Sequence, residues 1–125
     1  MIAYLIDPYS QTVTEVEIPH ELAEDQPFTQ LQAIYNLLDC DIVEAVMMPR
    51  MDTLLLDEEA RIREKESASF KVLYAPGHIF LNKALWLGVN REDWTEPHHS
   101  LFDLTSRITW INQDGTTHKA VSEHV

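Results

Sequence analysis

The chain has 125 residues, 45% of them hydrophobic, and a formal net charge of −12, enough for one hydrophobic core but too short for two domains, and too apolar for wholesale disorder. Such acidity repels nucleic-acid phosphates and anionic membrane surfaces, so neither is expected as a direct partner. A single cysteine, Cys40, excludes an intrachain disulfide and fits a reducing compartment.

Residues 2–6 are an apolar run stopped by Asp7-Pro8, and residues 12–18 are rich in β-branched side chains; the short connection suggests a hairpin. In the second strand Thr14, Val16 and Ile18 share one face, and Val13, Glu15 and Glu17 the other. Thr29-Gln30-Leu31-Gln32 matches a capping box, and Leu31, Ile34, Tyr35 and Leu38 follow at helical spacing, which predicts a helix over about 29–38. Strands are expected at 42–48 and 53–56, separated by Pro49 to Asp52. Residues 57–66 are charged and read equally well as a short helix or a loop. Residues 70–74 fit strand or helix, 75–77 form a turn, and 84–89 read as a buried strand whose Gly88 marks a close approach of backbone or ligand. Residues 90–100 read as a polar loop. Asn112-Gln113-Asp114-Gly115 between two β-rich segments signals a C-terminal hairpin.

These elements predict a single α+β domain over residues 1–125: an antiparallel or mixed sheet with one main helix packed on one face, finished by the C-terminal β-hairpin. The opening residues carry no basic leader, and no apolar run approaches the roughly 18 residues a membrane span needs.

No residue pattern carries a specific catalytic signature. Gly-x-Ser-x-Gly is absent, and Gly77, Gly88 and Gly115 lie too far apart to form a phosphate loop. Asp57-Glu58-Glu59 offers paired carboxylates, but without a partner in sequence it reads as a solvated turn. His98, His99 and Asp103 are the first metal candidates and the basis of a further alternative, a metal-dependent hydrolase, although adjacent histidines on an extended loop point in opposite directions and no second ligand motif accompanies them. Cys40 reads as a small buried apolar group. Trp94, in a polar segment, suits either an exposed interface anchor or a plug on the sheet edge. No cofactor is implied.

The charge is polarised. Residues 1–60 hold thirteen acids against one base, Arg50, whereas residues 61–125 hold eight of each. This points to an acidic N-terminal surface suited to a basic protein partner, with Glu15, Glu17, Glu21, Glu24, Asp25 and Trp94 as the expected contacts. The alternative is a protein that sequesters a nucleotide signal, probed by Lys71, Lys83, Arg91 and Trp86 and formed as a homodimer.

The segments Ile6-Asp7-Pro8, Val13 to Ile18, Leu31-Gln32, Val43-Glu44, Asp57-Glu58-Glu59 and Lys83 to Gly88, in that order, resemble a small domain of unknown function carried by phages and plasmids. The resemblance covers about residues 1–100 and leaves 101–125 as an extension. Ala60 and Asn82 stand where that pattern has Gly, which puts tight turns there in question. The resemblance implies an accessory protein, non-enzymatic, acting in the host cytoplasm by binding and inhibiting a host protein with a basic surface, plausibly a defence factor.

Overall fold

The computed structural model describes residues 1–19, 29–59, 68–91 and 93–121. The first apolar run is β1 (Ile2–Asp7), paired antiparallel along its whole length with β2 (Thr12–Glu17). Asp7 holds the intervening turn, its Oδ1 accepting from the Tyr9 amide at 2.9 Å, as short carboxylates do in turns. Helix α1 (Thr29–Leu38) follows; its Gln32 amide donates to Asn36 Oδ1, and buried Gln30 donates to the Pro19 carbonyl. Thr29 is the first helical residue, one position inside the expected cap. Then come β3 (Val43–Met48), β4 (Asp52–Asp57), β5 (Ser69–Val72), β6 (Phe80–Leu81), β7 (Ala84–Asn90) and β8 (Asp93–Thr95). Helix α2 (Leu101–Thr105), β9 (Ile108–Ile111) and β10 (Thr117–Lys119) complete the order.

The strands form two antiparallel sheets. One has six strands in the order β2-β1-β7-β4-β3, with β8 extending β7; the other has four in the order β10-β9-β5-β6. Strands account for 46% of the described residues and helices for 17%. The α+β expectation is therefore corrected: among the described residues this is a β-rich fold of two sheets with one substantial helix. The reason is that β5, β6, β9 and β10 are two to four residues long. Such strands carry too little periodicity to announce a sheet of their own, and their pairing is set by tertiary contact.

The larger sheet is buried on both faces. Tyr4, Ile6, Leu54, Leu56 and Trp86 pack against Phe70, Phe80, Ile108 and Trp110 of the smaller sheet and Leu104 of α2. On the opposite face Ala3, Leu55, Leu85 and Leu87 pack against Ile34 and Leu38 of α1, with Ile18 and Cys40 alongside. Double burial explains why β4 and β7 read as unbroken apolar runs rather than alternating ones. In β2, Val13 serves the first core and Val16 the second, so Glu15 and Glu17 share the face of Val13.

Two backbone positions close the fold. A Cβ on Gly88 would fall inside contact distance of the Glu96 carbonyl and Thr95 Oγ1, so the β7–β8 hairpin needs glycine there. Asn82 takes a positive φ of 68°, donates its amide to the Ala68 carbonyl at 2.9 Å and accepts on its side chain from the Tyr9 hydroxyl. The turn forms without glycine because asparagine tolerates the left-handed region. Ala60 lies outside the described residues.

Leu85→Ala, at a side chain with no exposed surface, is expected to cost about 2–5 kcal/mol of stability, and Gly88→Ala about 1–3 kcal/mol. Leu73→Ala, at an exposed position, is expected to stay within about 0.5 kcal/mol. Urea midpoints of the three variants check the ranking.

Candidate functional site

The most organised polar cluster surrounds Asp52. This residue opens β4, pairs with Gly88 across the sheet and is fully buried. Its side chain lies on the face shared with Leu54, Leu56 and Trp86. The Trp86 indole Nε1–H donates to Oδ2 at 2.6 Å. From the segment following β8, the amides of His98 and His99 donate at 2.8 and 3.2 Å. The two ring Nδ1 atoms lie 2.8 and 2.7 Å from Oδ1 and Oδ2. Facing a carboxylate oxygen, each Nδ1 carries a proton and donates. Five donors thus converge on one anion.

Surroundings fix the rings further. His99 is edge-on to Trp86 with centroids 5.6 Å apart, and Tyr74 lies 5.4 Å from the His99 ring. Arg107 covers the Tyr74 ring at 4.8 Å. The Tyr4 hydroxyl donates to the His99 carbonyl at 2.9 Å; burial, then the charges of Glu15, Asp52 and Glu96, push its pKa up. For Asp52, burial pushes the carboxyl upward, but hydrogen bonds from His99, the His98 amide, Trp86 and the His98 ring outweigh it. Its pKa is held below the ordinary aspartate value.

Neither of the two surface clefts described below is lined by Asp52, His98 or His99. Both imidazoles turn Nδ1 inward, and the His99 side chain is 1% exposed. The adjacent histidines, expected to point apart, instead share one acceptor. Asp103 sits in α2, where its amide donates to Ser100 Oγ and its carboxylate pairs with Arg107 at 3.5 Å. No group of three His, Cys, Asp or Glu able to hold a metal occurs among the described residues. The cluster is a structural latch joining β4, β7 and residues 98–99.

The other residues singled out by sequence are dispersed. Glu15 and Glu17 are exposed on β2, and Glu17 Oε2 accepts from the Met1 ammonium at 3.0 Å. Glu21, Glu24 and Asp25 lie outside the described residues. Trp94 is partly buried and packs against the core cluster that includes Ile34 and Leu38 of α1. Trp86 is wholly buried. Lys71 is exposed on β5, Arg91 is exposed at the β7–β8 turn, and Lys83 lines a 350 Å³ pocket with Asp7, Asp39 and Asp57. The structure does not gather these cations around an aromatic platform, and three carboxylates surround the one that lies in a pocket.

A second, larger cleft was not expected from sequence. It occupies about 760 Å³ on one open side of the sandwich, between edge strand β3 of the larger sheet and edge strand β6 of the smaller. Val46 and Met47 contribute from β3, Ile79 and Phe80 from the opposite side, and Tyr74 reaches it from beside the latch. Glu44, Asp57 and Glu58 add carboxylates, while no Lys or Arg lines it among the described residues. Met47 and Ile79 are exposed at 62% and 45%.

No protein-family model, no curated protein and no solved structure matches the chain, so the resemblance noted above rests on its sequence segments alone. No helix among the described residues is long and apolar enough to cross a membrane.

Asp52→Asn leaves buried donors facing an amide and is expected to cost about 3–5 kcal/mol at neutral pH. Because the folded pKa is depressed, the carboxylate's contribution is complete above the unfolded value of about 4 and disappears as pH falls through the lower folded value. The stability gap between wild type and Asp52→Asn, followed by urea unfolding, is therefore expected to narrow below about pH 4. A gap independent of pH would contradict the assignment.

Proposed function

We propose that the protein acts by binding another protein, without catalysis, and that it takes a basic segment of that partner in the cleft between β3 and β6. The carrying observation is the cleft itself. At about 760 Å³ it has the size of a working recognition site, and exposed apolar side chains stand beside Glu44 and Glu58, both exposed. Apolar contact gives such a surface affinity, while its charge steers and selects the partner. The Asp52 cluster lines neither cleft, so the reading rests on the cleft alone.

In the accessory role that the sequence resemblance implies, the partner is a host protein with a basic surface, and occupying that surface inhibits it. The acidic contact then lies at the cleft rather than at Glu15 and Glu17 of the first hairpin, one of which is already engaged by the chain's own ammonium group.

Calorimetric titration of the full chain with Lys/Arg-rich and Asp/Glu-rich decapeptides tests the proposal. The expected result is saturable binding of the cationic set alone, weakened by salt. The double variant Glu44→Lys, Glu58→Lys is expected to lower affinity about tenfold. Equal binding of acidic peptides, or an unchanged affinity in the double variant, would contradict it.

A further inference from the structure

We infer that β3 is a docking edge, on which an extended segment of alternating basic and apolar residues adds as a further strand of the larger sheet. The inference rests on the cleft reading above and supplies its binding mode.

The described sheet edges differ; β8, paired only with β7, has three residues. β2 carries Thr12, Thr14, Glu15 and Glu17, and α2 lies against it. β6 has two residues. β10 has three, Thr117, His118 and Lys119, all polar and exposed. β3 is different: six residues, Val43-Glu44-Ala45-Val46-Met47-Met48, pair with β4 in unbroken register from Val43–Asp57 to Met48–Asp52. No further strand pairs with it on the other side among the described residues. Folded proteins normally protect such an edge with lysine, proline, a bulge or a covering element, because its free N–H and C=O groups recruit another strand. β3 has no lysine, proline or bulge, and Ala45 and Met47 are exposed. An edge of six residues in unbroken register, apolar but for Glu44, beside a cleft suits strand addition.

Charge and pleat define the occupant. Glu44 and Val46 lie on the β3 face that lines the cleft, so every second residue of an added strand enters it. There Glu44 and Glu58 favour Lys or Arg, whose aliphatic stems cover Val46, Ile79 and Phe80. The intervening residues lie on the opposite face beside Ala45, where apolar side chains fit, and Met47 near the strand's end borders the cleft as well. A second copy is disfavoured, because it would bring two chains of charge −12 together and place Glu44 near its own counterpart.

The probe is the capped hexapeptide Lys-Val-Lys-Val-Lys-Val, together with two analogues methylated at alternate backbone nitrogens in the two possible frames. The amides of β3 are read by hydrogen exchange with and without peptide. The expected result is that peptide slows exchange of β3 amides at least about tenfold. One methylation frame should abolish binding, and the other should leave it within about threefold. If the hexapeptide binds but both analogues bind equally well and β3 exchange is unchanged, strand addition is overturned while the cleft remains a binding site. If no cationic peptide binds, both readings fall. A dimer whose β3 amides are protected without peptide would place a second copy on the edge and overturn the proposal.

Discussion

The architecture depends on one buried anion. The Asp52 carboxylate has no exposed surface and receives the Trp86 indole, two backbone amides and two imidazoles. A carboxylate taken out of water is strongly destabilising unless its oxygens are saturated with donors; here five donors from two other segments meet that requirement at once. Satisfying the charge fixes residues 98–99 over the end of β4. Those residues lead directly into Ser100, whose side chain caps α2, and then into β9 of the smaller sheet. The hydrogen-bonding demand of a single side chain thus fixes the segment that leads into β9 of the smaller sheet.

From that fixed point the rest of the sandwich follows. Trp86 carries the latch into the core, where Phe70, Phe80 and Trp110 fill the space between the sheets. Tyr74 stands against His99, under the Arg107 guanidinium, and reaches the β3–β6 cleft as well. The latch lies at the Met48–Asp52 end of the β3–β4 hairpin, and Glu44 and Glu58 line the cleft toward the opposite end of that hairpin. The sheets are tied together where Asp52 is saturated and leave a gap along β3. The Asp52 latch and the proposed docking edge therefore occupy different parts of one hairpin.

Much of the local structure was legible in the sequence. The helix at 29–38, the strand ending at Asp7-Pro8, the face division of β2 and the close approach at Gly88 each follow from spacing or from a residue with one steric option. The second sheet was not legible, because a strand as short as Phe80–Leu81 has no period to read. α2 was hidden inside what looked like loop and tail; its signal, Ser100 three residues before Asp103, is visible once sought. His98 and His99 stood out for the right chemistry and the wrong partner, since Asp52 is distant in sequence and looks like an ordinary turn residue after Pro49-Arg50-Met51. Trp86 suggested ligand stacking, and only its register beside Leu54 shows it to be core. The cleft was invisible for the same reason: it exists only because the edges of two sheets face each other.

Asp52 fastens residues 98–99 to the larger sheet as firmly as the core itself holds together. The most direct measurement is residue-resolved amide hydrogen exchange at neutral pH. The His98 and His99 amides, though they lie outside any strand or helix, are expected to exchange as slowly as those of Leu54 and Trp86, opening only with global unfolding. Exchange of these two amides at rates typical of an exposed loop would contradict it.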